Sequence, residues 1–154
     1  MCSTAVNSMT DNAVFVDTNI LVAASDRGAP FHAECMKTLA RLRASSAELW
    51  ISRQVIREFL ATLSRPQVWG ADMDGGSLAD YAERLLKFYR VAEENPEATK
   101  KLLSFVRDGR AQGKQVHDAC IAAVMLSHRI RRILTINAAH FERFKRDLIL
   151  ERLA

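Results

Sequence analysis

Residues 13–19 read AVFVDTN, and the prediction of the fold starts from these seven residues. The first four form an apolar run that is short enough to be a strand buried on both faces, as in a parallel sheet. The run stops at Asp17, and a helical pattern begins at Ile20 and continues to Ser25. A buried strand that leads through a short polar turn into a helix is typical of α/β proteins.

The rest of the chain repeats this alternation of short apolar runs and longer helical patterns. Apolar residues at three- and four-residue steps predict helices over residues 30–46, 53–65, 78–87, 97–107 and 116–126, and a turn with a short helix over 137–146. Short apolar runs predict strands over 48–52, 88–92 and 133–136, a last strand or helical tail over 148–150, and a Gly- and Asp-rich surface loop over 66–77. We therefore predict one α/β domain with a central, short-stranded parallel sheet and helices on both of its faces.

The length and the cysteine content restrict the class of protein. The 154 residues fit one domain over 13–154, preceded by a polar segment, 1–12, that we expect to be a flexible leader. Cys2, Cys35 and Cys120 are odd in number and form no CxxC pair, which argues against a disulfide framework and a structural zinc site. Because the chain has no signal-peptide pattern and no apolar run of about 20 residues, we expect a cytoplasmic protein that does not enter a membrane.

The basic residues point weakly to an anionic partner. The formal net charge is +4, and 16 of the 22 basic residues are arginine. Arginine binds phosphate through two parallel hydrogen bonds and stacks on bases, so this composition is compatible with nucleic-acid binding. An arginine-rich composition also arises from a GC-rich genome, and charge alone therefore leaves both interpretations open.

Two polar residues directly follow predicted buried strands. Asp17 follows the first strand and Asn137 follows the strand over 133–136. In open parallel sheets, ligands bind beyond the carboxyl ends of the strands, so both residues would face one site if their strands are neighbours. Asp17 could instead only cap the helix that follows it.

Two further carboxylates interrupt apolar helical faces. Asp118 lies over Ile121 and Met125 on a strongly apolar helix, where a carboxylate is unfavourable unless it is paired or binds a cation. Glu58 lies at the border of the apolar stripe on its own helix. Each has a structural alternative, because a first-turn aspartate is stabilised by the helix dipole and a border glutamate commonly forms an exposed ion pair.

Asp17, Glu58 and Asp118 together point to metal chemistry. Three carboxylates that meet at one point raise each other's pKa, so they stay ionised together only beside a cation. Carboxylate oxygens favour Mg²⁺ or Mn²⁺ over zinc. Such an ion binds a phosphate oxygen and activates water, which makes a phosphodiester the expected substrate.

Four motifs, in order, resemble those of PIN-domain nucleases. They are FVDTNIL at residues 15–21, QVIREF at 54–59, GKQVHDA at 113–119 and LTINAAHF at 134–141. The order and spacing match over residues 13–145, and the small size is similar to that of VapC-type toxins of bacterial toxin–antitoxin pairs. The resemblance implies a Mg²⁺- or Mn²⁺-dependent endoribonuclease that cuts RNA, often a tRNA or rRNA, and leaves a 5′-phosphate and a 3′-hydroxyl. It also implies a homodimer and a cognate antitoxin that covers the active site.

The resemblance also implies a role for each matching residue. Asp17 and Asp118 would hold the metal, while Glu58 would hold the ion or its water. Thr18 and Asn19 would support Asp17 or the substrate phosphate.

The fourth motif departs from the family pattern. Many relatives have an aspartate where this chain has Asn137, whose amide oxygen can accept a hydrogen bond but carries no charge. His140 occupies a position where some relatives have a carboxylate. One ion is therefore expected rather than two.

Other readings of the same residues stay open. The fold could bind RNA or protein without catalysis, or Asp17 could be a phosphatase-like nucleophile, although the second aspartate of a DxD motif is missing. Arg53, Arg57 and Arg65 share a helix with Glu58 and are the candidates for RNA contacts.

Overall fold

The computed structural model describes residues 11–66 and 74–154. The strands are β1 (Ala13–Val16), β2 (Glu48–Ser52), β3 (Arg90–Ala92), β4 (Arg132–Leu134) and β5 (Ile149–Leu150). The helices are α1 (Thr18–Ser25), α2 (His32–Ala44), α3 (Arg53–Leu63), α4 (Gly75–Phe88), α5 (Pro96–Arg107), α6 (Gln115–Ser127) and α7 (Ala138–Phe141), and a 3-10 turn follows at Glu142–Phe144.

All five strands run parallel in one sheet of order β3-β2-β1-β4-β5. Strand β1 is central and pairs Phe15 with Trp50 of β2 on one side and with Ile133 of β4 on the other. The chain moves from β1 outward to β3 and then returns across β1 to β4. The direction of winding therefore reverses between β1 and β4, which is where ligands bind in open α/β sheets.

The helices form two layers around this sheet. Helix α1 packs against α2 and α3, and α3 packs against α4, whereas α5 packs against α6 and α6 against α7. Right-handed crossovers place these two sets on opposite faces, because the chain passes the sheet in opposite directions before and after β3. Strand β1 is buried along its whole length between the layers. The predicted α/β architecture with helices on both faces is therefore confirmed.

Some predicted boundaries are wrong. The strand predicted over 88–92 begins at Arg90, because α4 continues to Phe88 and the Tyr89 N–H still donates to the Leu85 carbonyl at 2.9 Å. The strand predicted over 133–136 is β4, which ends at Leu134. Beyond it the backbone turns into the site and donates to a side chain of α1, as described below.

The loop predicted over 66–77 is partly helical. Helix α4 begins at Gly75, and the Asp74 carboxylate caps it by accepting from the Ser77 N–H at 2.7 Å. The rest of this prediction, over 67–73, lies outside the described residues. Residues 148–150 end in a strand, β5, which settles the alternative left open by the sequence.

The leader predicted over residues 1–12 falls mostly outside the described residues. Asn12 already belongs to the folded domain, since its carbonyl accepts from the Glu48 N–H at 2.9 Å. A flexible leader stays a prediction for 1–10. No helix within the described ranges is long and apolar enough to cross a membrane.

Candidate active site

The candidate site lies at the carboxyl ends of β1 and β4. The Asp17 N–H donates to the Leu134 carbonyl at 3.0 Å, so the two strands are still paired where the site begins. Asp17 then caps α1, and its carboxylate is almost completely buried. The first strand and the strand that precedes Asn137 are therefore neighbours in the sheet.

Three neutral donors hold the Asp17 carboxylate. Oδ1 accepts from the Thr18 N–H at 2.7 Å, and Oδ2 accepts from the Thr135 hydroxyl at 2.7 Å and the Asn19 amide at 2.9 Å. The Asn19 amide oxygen in turn accepts from the Ile136 N–H at 3.0 Å, which ties α1 to the end of β4. These contacts fix the direction of the carboxylate and leave its negative charge uncompensated.

Glu58 reaches the same place from α3. Its Oε2 accepts from the Thr18 hydroxyl at 3.0 Å, and its Oε1 accepts from the Gln54 amide at 2.8 Å. The Gln54 amide also donates to the carbonyl of His117 at 3.2 Å, at the start of α6. Thr18 thus connects Asp17 to Glu58, and Gln54 connects Glu58 to the helix that carries Asp118.

Asp118 lies in the first turn of α6, half-buried, with its Oδ2 3.4 Å from Nδ1 of His140. Burial raises the pKa of Asp118, and the charge of Glu58 raises it further. Nearby His140 and Arg143 oppose this effect and lower the pKa, but the net direction is upward. Asp118 is therefore a carboxylate whose ionised form the folded protein does not fully stabilise.

Asp17 is a second carboxylate whose ionised form the folded protein does not fully stabilise. Burial raises the pKa of Asp17, the hydrogen bonds from Thr135 and Thr18 lower it, and the charges of Glu58 and Asp118 raise it. The net pKa lies above the ordinary value. The charges of Glu58 and Asp118 thus act on Asp17, and the charge of Glu58 acts on Asp118.

The donor chemistry of this site fits a hard divalent cation. Within residues 11–66 and 74–154, no three carboxylate, imidazole or thiol groups converge closely enough to coordinate an ion as they stand. However, Asp17 and Asp118 both carry excess negative charge that a cation would neutralise, and all their acceptor atoms are oxygens, as Mg²⁺ and Mn²⁺ prefer. Asp17, Asp118 and Glu58 are the residues that would hold it.

Asn137 and His140 lie at the rim of the site. Both line a cavity of about 530 Å³ together with Asp17, Asn19 and Asp118. Asn137 is exposed, and its N–H donates to the Thr135 hydroxyl at 3.1 Å. His140 follows on α7, with its Nδ1 3.4 Å from the Asp118 carboxylate.

The three candidate RNA-binding arginines do not share one environment. Arg53 donates three hydrogen bonds to Glu93, two from Nε at 3.1 Å and one from Nη2 at 2.5 Å, and this pairing raises the pKa of Arg53. Arg57 lies 3.3 Å from Glu94, beside Glu58 in an adjoining cavity. Arg65 is exposed just beyond the end of α3. Their contact with RNA stays a prediction.

Three residues of the site were not predicted from the sequence. Thr135 and Gln54 are ordinary polar residues whose importance depends on which elements become neighbours. Arg143 lowers the pKa of Asp118, and its Nη1 atom is buried without a hydrogen-bond partner among the described residues. Its position three residues after His140, on the same face of a helical turn, is a signal that the sequence did contain.

Comparison with solved structures gives the same fold. The toxin VapC20 of Mycobacterium tuberculosis, described as cleaving the sarcin-ricin loop, is 20% identical with a TM-score of 0.64, over 88% of this chain and 96% of that one. VapBC-1 of nontypeable Haemophilus influenzae is 19% identical with a TM-score of 0.65, over 92% and 98%. A toxin–antitoxin complex from Klebsiella pneumoniae is 18% identical with a TM-score of 0.59, over 84% and 90%.

A search of curated proteins finds no match to the sequence. The model of one protein family, described as the PIN domain, matches residues 14–147. This range contains β2, β3, β4 and all but the first residue of β1, ends before β5, and contains all three acidic residues of the site. The four sequence motifs, the acids at the reversal point of the sheet and this match agree, and the chain therefore belongs to the PIN domain family.

Proposed function

We propose that this protein is a Mg²⁺- or Mn²⁺-dependent endoribonuclease of the VapC type. One observation carries the proposal: Asp17 and Asp118, from two separate motifs, line the same cavity, and Glu58, from a third motif, accepts a hydrogen bond at 3.0 Å from Thr18, the residue next to Asp17. A cluster of this kind has little structural value in itself, because uncompensated buried charge destabilises the folded state. The arrangement is suited to binding a divalent cation together with an RNA phosphate.

The residues of the chain would divide the work. Asp17 and Asp118 hold the cation, and Glu58 holds the ion or its water. A bound ion would supply Lewis-acid stabilisation of a phosphate oxygen and a water activated for in-line attack. Thr18, Asn19 and Thr135 keep the Asp17 carboxylate in one orientation. His140 and Arg143 offset part of the negative charge at Asp118, and Asn137 at the rim contacts the substrate through its neutral amide.

A toxin–antitoxin pair is the proposed biological setting. The structural matches include a toxin described as cleaving the sarcin-ricin loop and a toxin–antitoxin complex, which supports an rRNA or tRNA substrate and an antitoxin partner for this chain. We also propose a homodimer. Leu103 and Val106 on α5 are large apolar side chains about half exposed, and a second copy could cover them.

Cleavage of total cellular RNA by the purified protein tests the proposal. The reaction is run with Mg²⁺, with Mn²⁺ and with EDTA, and the Asp118→Asn variant is compared with Asp80→Asn, an exposed aspartate on α4. We expect discrete fragments from the unaltered chain and from Asp80→Asn, and none with EDTA or with Asp118→Asn. Tight RNA binding without metal-dependent fragments would instead support a non-catalytic binding module.

A further inference from the structure

Phe31 is an exposed aromatic ring beside the acidic site. Within the described ranges, the large apolar side chains that are exposed are Phe31, Met36, Phe88, Leu103, Val106 and Ile149. Of these, Phe31 lines the cavity that contains Asp17 and Asp118, and its side chain is 51% exposed. Single exposed apolar side chains are common on soluble proteins, so the notable feature of Phe31 is its place in the cavity beside the two aspartates.

The backbone at Phe31 has an unusual conformation. Its φ of 64° lies in the left-handed region, which a bulky side chain rarely adopts. Ser46 and Arg129 share such an angle, but both follow the end of a helix, where the left-handed turn satisfies the last carbonyls. Phe31 instead precedes the start of α2. The His32 N–H donates to the Ala29 carbonyl at 3.2 Å, so Phe31 follows Pro30 as the third residue of a turn, and the third residue is the position at which a type II turn has a positive φ.

The segment that carries Phe31 is fixed to α1. The Asp26 carboxylate accepts from the Gly28 N–H at 2.9 Å, and the Asp26 carbonyl accepts from the Ala29 N–H at 3.0 Å. The imidazole of His32 donates from Nδ1 to the Ala23 carbonyl at 2.8 Å. These hydrogen bonds fix the backbone on either side of Phe31.

The cavity is lined by residues of two chemical kinds. The polar ones include Asp17 and Asp118. The apolar ones include Val22, Ala29, Pro30, Phe31 and Ile136. The volume of about 530 Å³ lies in the range of small-molecule sites, large enough for one nucleotide. A nucleotide likewise combines a charged phosphate with a flat apolar base.

We propose that Phe31 stacks on one unpaired base of the RNA, adjacent to the phosphodiester held at the acidic site. The proposal rests on the proposed function and adds a residue of this chain that contacts an unpaired base. Bases in an A-form duplex are stacked on their neighbours and cannot reach the ring, whereas an unpaired base can. Stacking is tolerant of sequence, so Phe31 selects for unpaired structure and contributes little to base identity.

Binding is tested without relying on cleavage. The probe is a 12-nucleotide single-stranded RNA with the fluorescent base 2-aminopurine at successive positions, titrated with Asp118→Asn protein in Mg²⁺. We expect fluorescence quenching at one position or two adjacent ones. Adding Phe31→Leu should remove the quenching and weaken binding about tenfold, the size expected for one stacked base. Phe31→Tyr keeps a ring and should restore both, and Phe88→Leu, an exposed phenylalanine elsewhere, is the matched control.

Cleavage provides the second readout. We expect kcat/KM on single-stranded RNA to fall about tenfold in Phe31→Leu, to stay within about twofold in Phe31→Tyr and Phe88→Leu, and to be low for a duplex of the same sequence. The thermal unfolding midpoint of each variant confirms folding.

Unchanged quenching and affinity in a folded Phe31→Leu protein would overturn the proposal. So would a selective loss of binding to a copurified antitoxin, which would make Phe31 a protein contact. Quenching that persists in a chain without nuclease activity would refute the proposed function and leave the stacking site in place.

Discussion

The Asp17 carboxylate shows how single residues set the properties of the site. Three neutral groups, from Thr18, Asn19 and Thr135, orient it without supplying positive charge. Burial raises its pKa, and so do its two acidic neighbours. Orientation and charge are thus controlled by different residues, and substitutions can separate the two.

Removing the charge of Asp118 should stabilise the metal-free protein. Because the folded-state pKa is raised, the folded chain binds this proton more readily than the unfolded chain, and stability falls as pH rises from about 4 through the raised pKa. Asp118→Asn lacks this loss and should be up to about 1 kcal/mol more stable at pH 7 in EDTA. Urea unfolding at pH 4 and pH 7 measures the difference, which should nearly vanish at the lower pH. A variant less stable than the unaltered chain at pH 7 would contradict the charge imbalance.

Thr135 should control the protonation of Asp17. Its hydroxyl lowers the pKa of Asp17, so Thr135→Val, which keeps the shape and removes the donor, should raise that pKa further. Activity that requires ionised Asp17 would then decline at a higher pH as the solution is acidified. The acid limb of the kcat/KM profile measures this shift, with Thr62→Val at the edge of the cavity as the control. An unshifted limb with a uniform loss of activity would assign Thr135 a purely structural role.

The residues of the site were predictable to different degrees. Asp17, Glu58 and Asp118 stand out because each is a carboxylate in an apolar pattern and part of a recognisable motif. Thr135 and Gln54 do not stand out, since their roles arise only when β4 lies beside β1 and α3 lies beside α6. Pairwise proximity of this kind is a property of the tertiary fold, and the local sequence does not contain it.

Three of the helices end with the same backbone geometry. Helices α2, α5 and α6 end alike, with a residue of positive φ directly after the capping residue: Ser46, Gly109 and Arg129. In each case the next N–H donates to a carbonyl five residues earlier, as from Ile130 to Met125 at 2.9 Å. This geometry favours glycine, which only α5 has. The ends of α2 and α6 therefore carry a small conformational strain.

Arg129→Gly should stabilise the domain by about 0.5–1 kcal/mol, because glycine adopts the positive φ without steric penalty. Arg129 is exposed, so the substitution removes little packing. Gly109→Ala, at the equivalent place after α5, should destabilise the domain by a similar amount. Chemical denaturation of both variants measures the pair of effects. A loss of stability in Arg129→Gly would mean that the arginine side chain makes a contribution larger than the strain.

The boundary between α4 and β3 explains one wrong prediction at the scale of elements. Residues 88–92 have the composition of a strand, but Phe88 completes the last turn of α4 and lies under the guanidinium of Arg43 at 4.6 Å. Local composition does not distinguish a last helical turn from a first strand residue when both are apolar. The arginine contact that favours the helix comes from α2, far away in the sequence.

The whole molecule is joined at its edge by a charged cluster. Glu151, after β5, lies 2.7 Å from Arg132 of β4 and 3.1 Å from Arg41 of α2. Partial burial alone would raise the pKa of Glu151, but hydrogen bonds and charges from both arginines outweigh it and lower the pKa. The C-terminal segment is held further by the Ala154 N–H, which donates to the Thr38 hydroxyl at 2.8 Å. The C-terminal segment is therefore tied to both β4 and α2.

Glu151→Gln should lower the free energy of unfolding by about 1 kcal/mol at pH 7. Because the folded-state pKa is depressed, this stabilisation is present above the ordinary glutamate pKa of about 4.3 and is lost as pH falls through the lower folded-state value. Urea denaturation between pH 3 and pH 7 follows the difference, with Glu142→Gln, an exposed glutamate, as control. A difference that persists at pH 3 would show that charge is not its source.

The overall architecture could be predicted from the sequence more completely than the residues of the site. Alternating strands and helices predict a parallel α/β sheet, but the strand order depends on long-range pairing that no local pattern encodes. The reversal between β1 and β4 follows from that order. As a result of this reversal, Asp17 and Asn137, which follow these two strands, line the same cavity.

The chemistry of the RNA ends tests the central claim most directly. The fragments produced by the purified protein are analysed for their terminal groups, in Mg²⁺ and in EDTA, alongside Asp17→Asn protein that retains its thermal unfolding transition. Attack by a metal-activated water predicts 5′-phosphate and 3′-hydroxyl ends that disappear in EDTA and in the variant. Fragments with 2′,3′-cyclic phosphate and 5′-hydroxyl ends that persist in EDTA would contradict the account, because the RNA's own 2′-hydroxyl would then be the nucleophile.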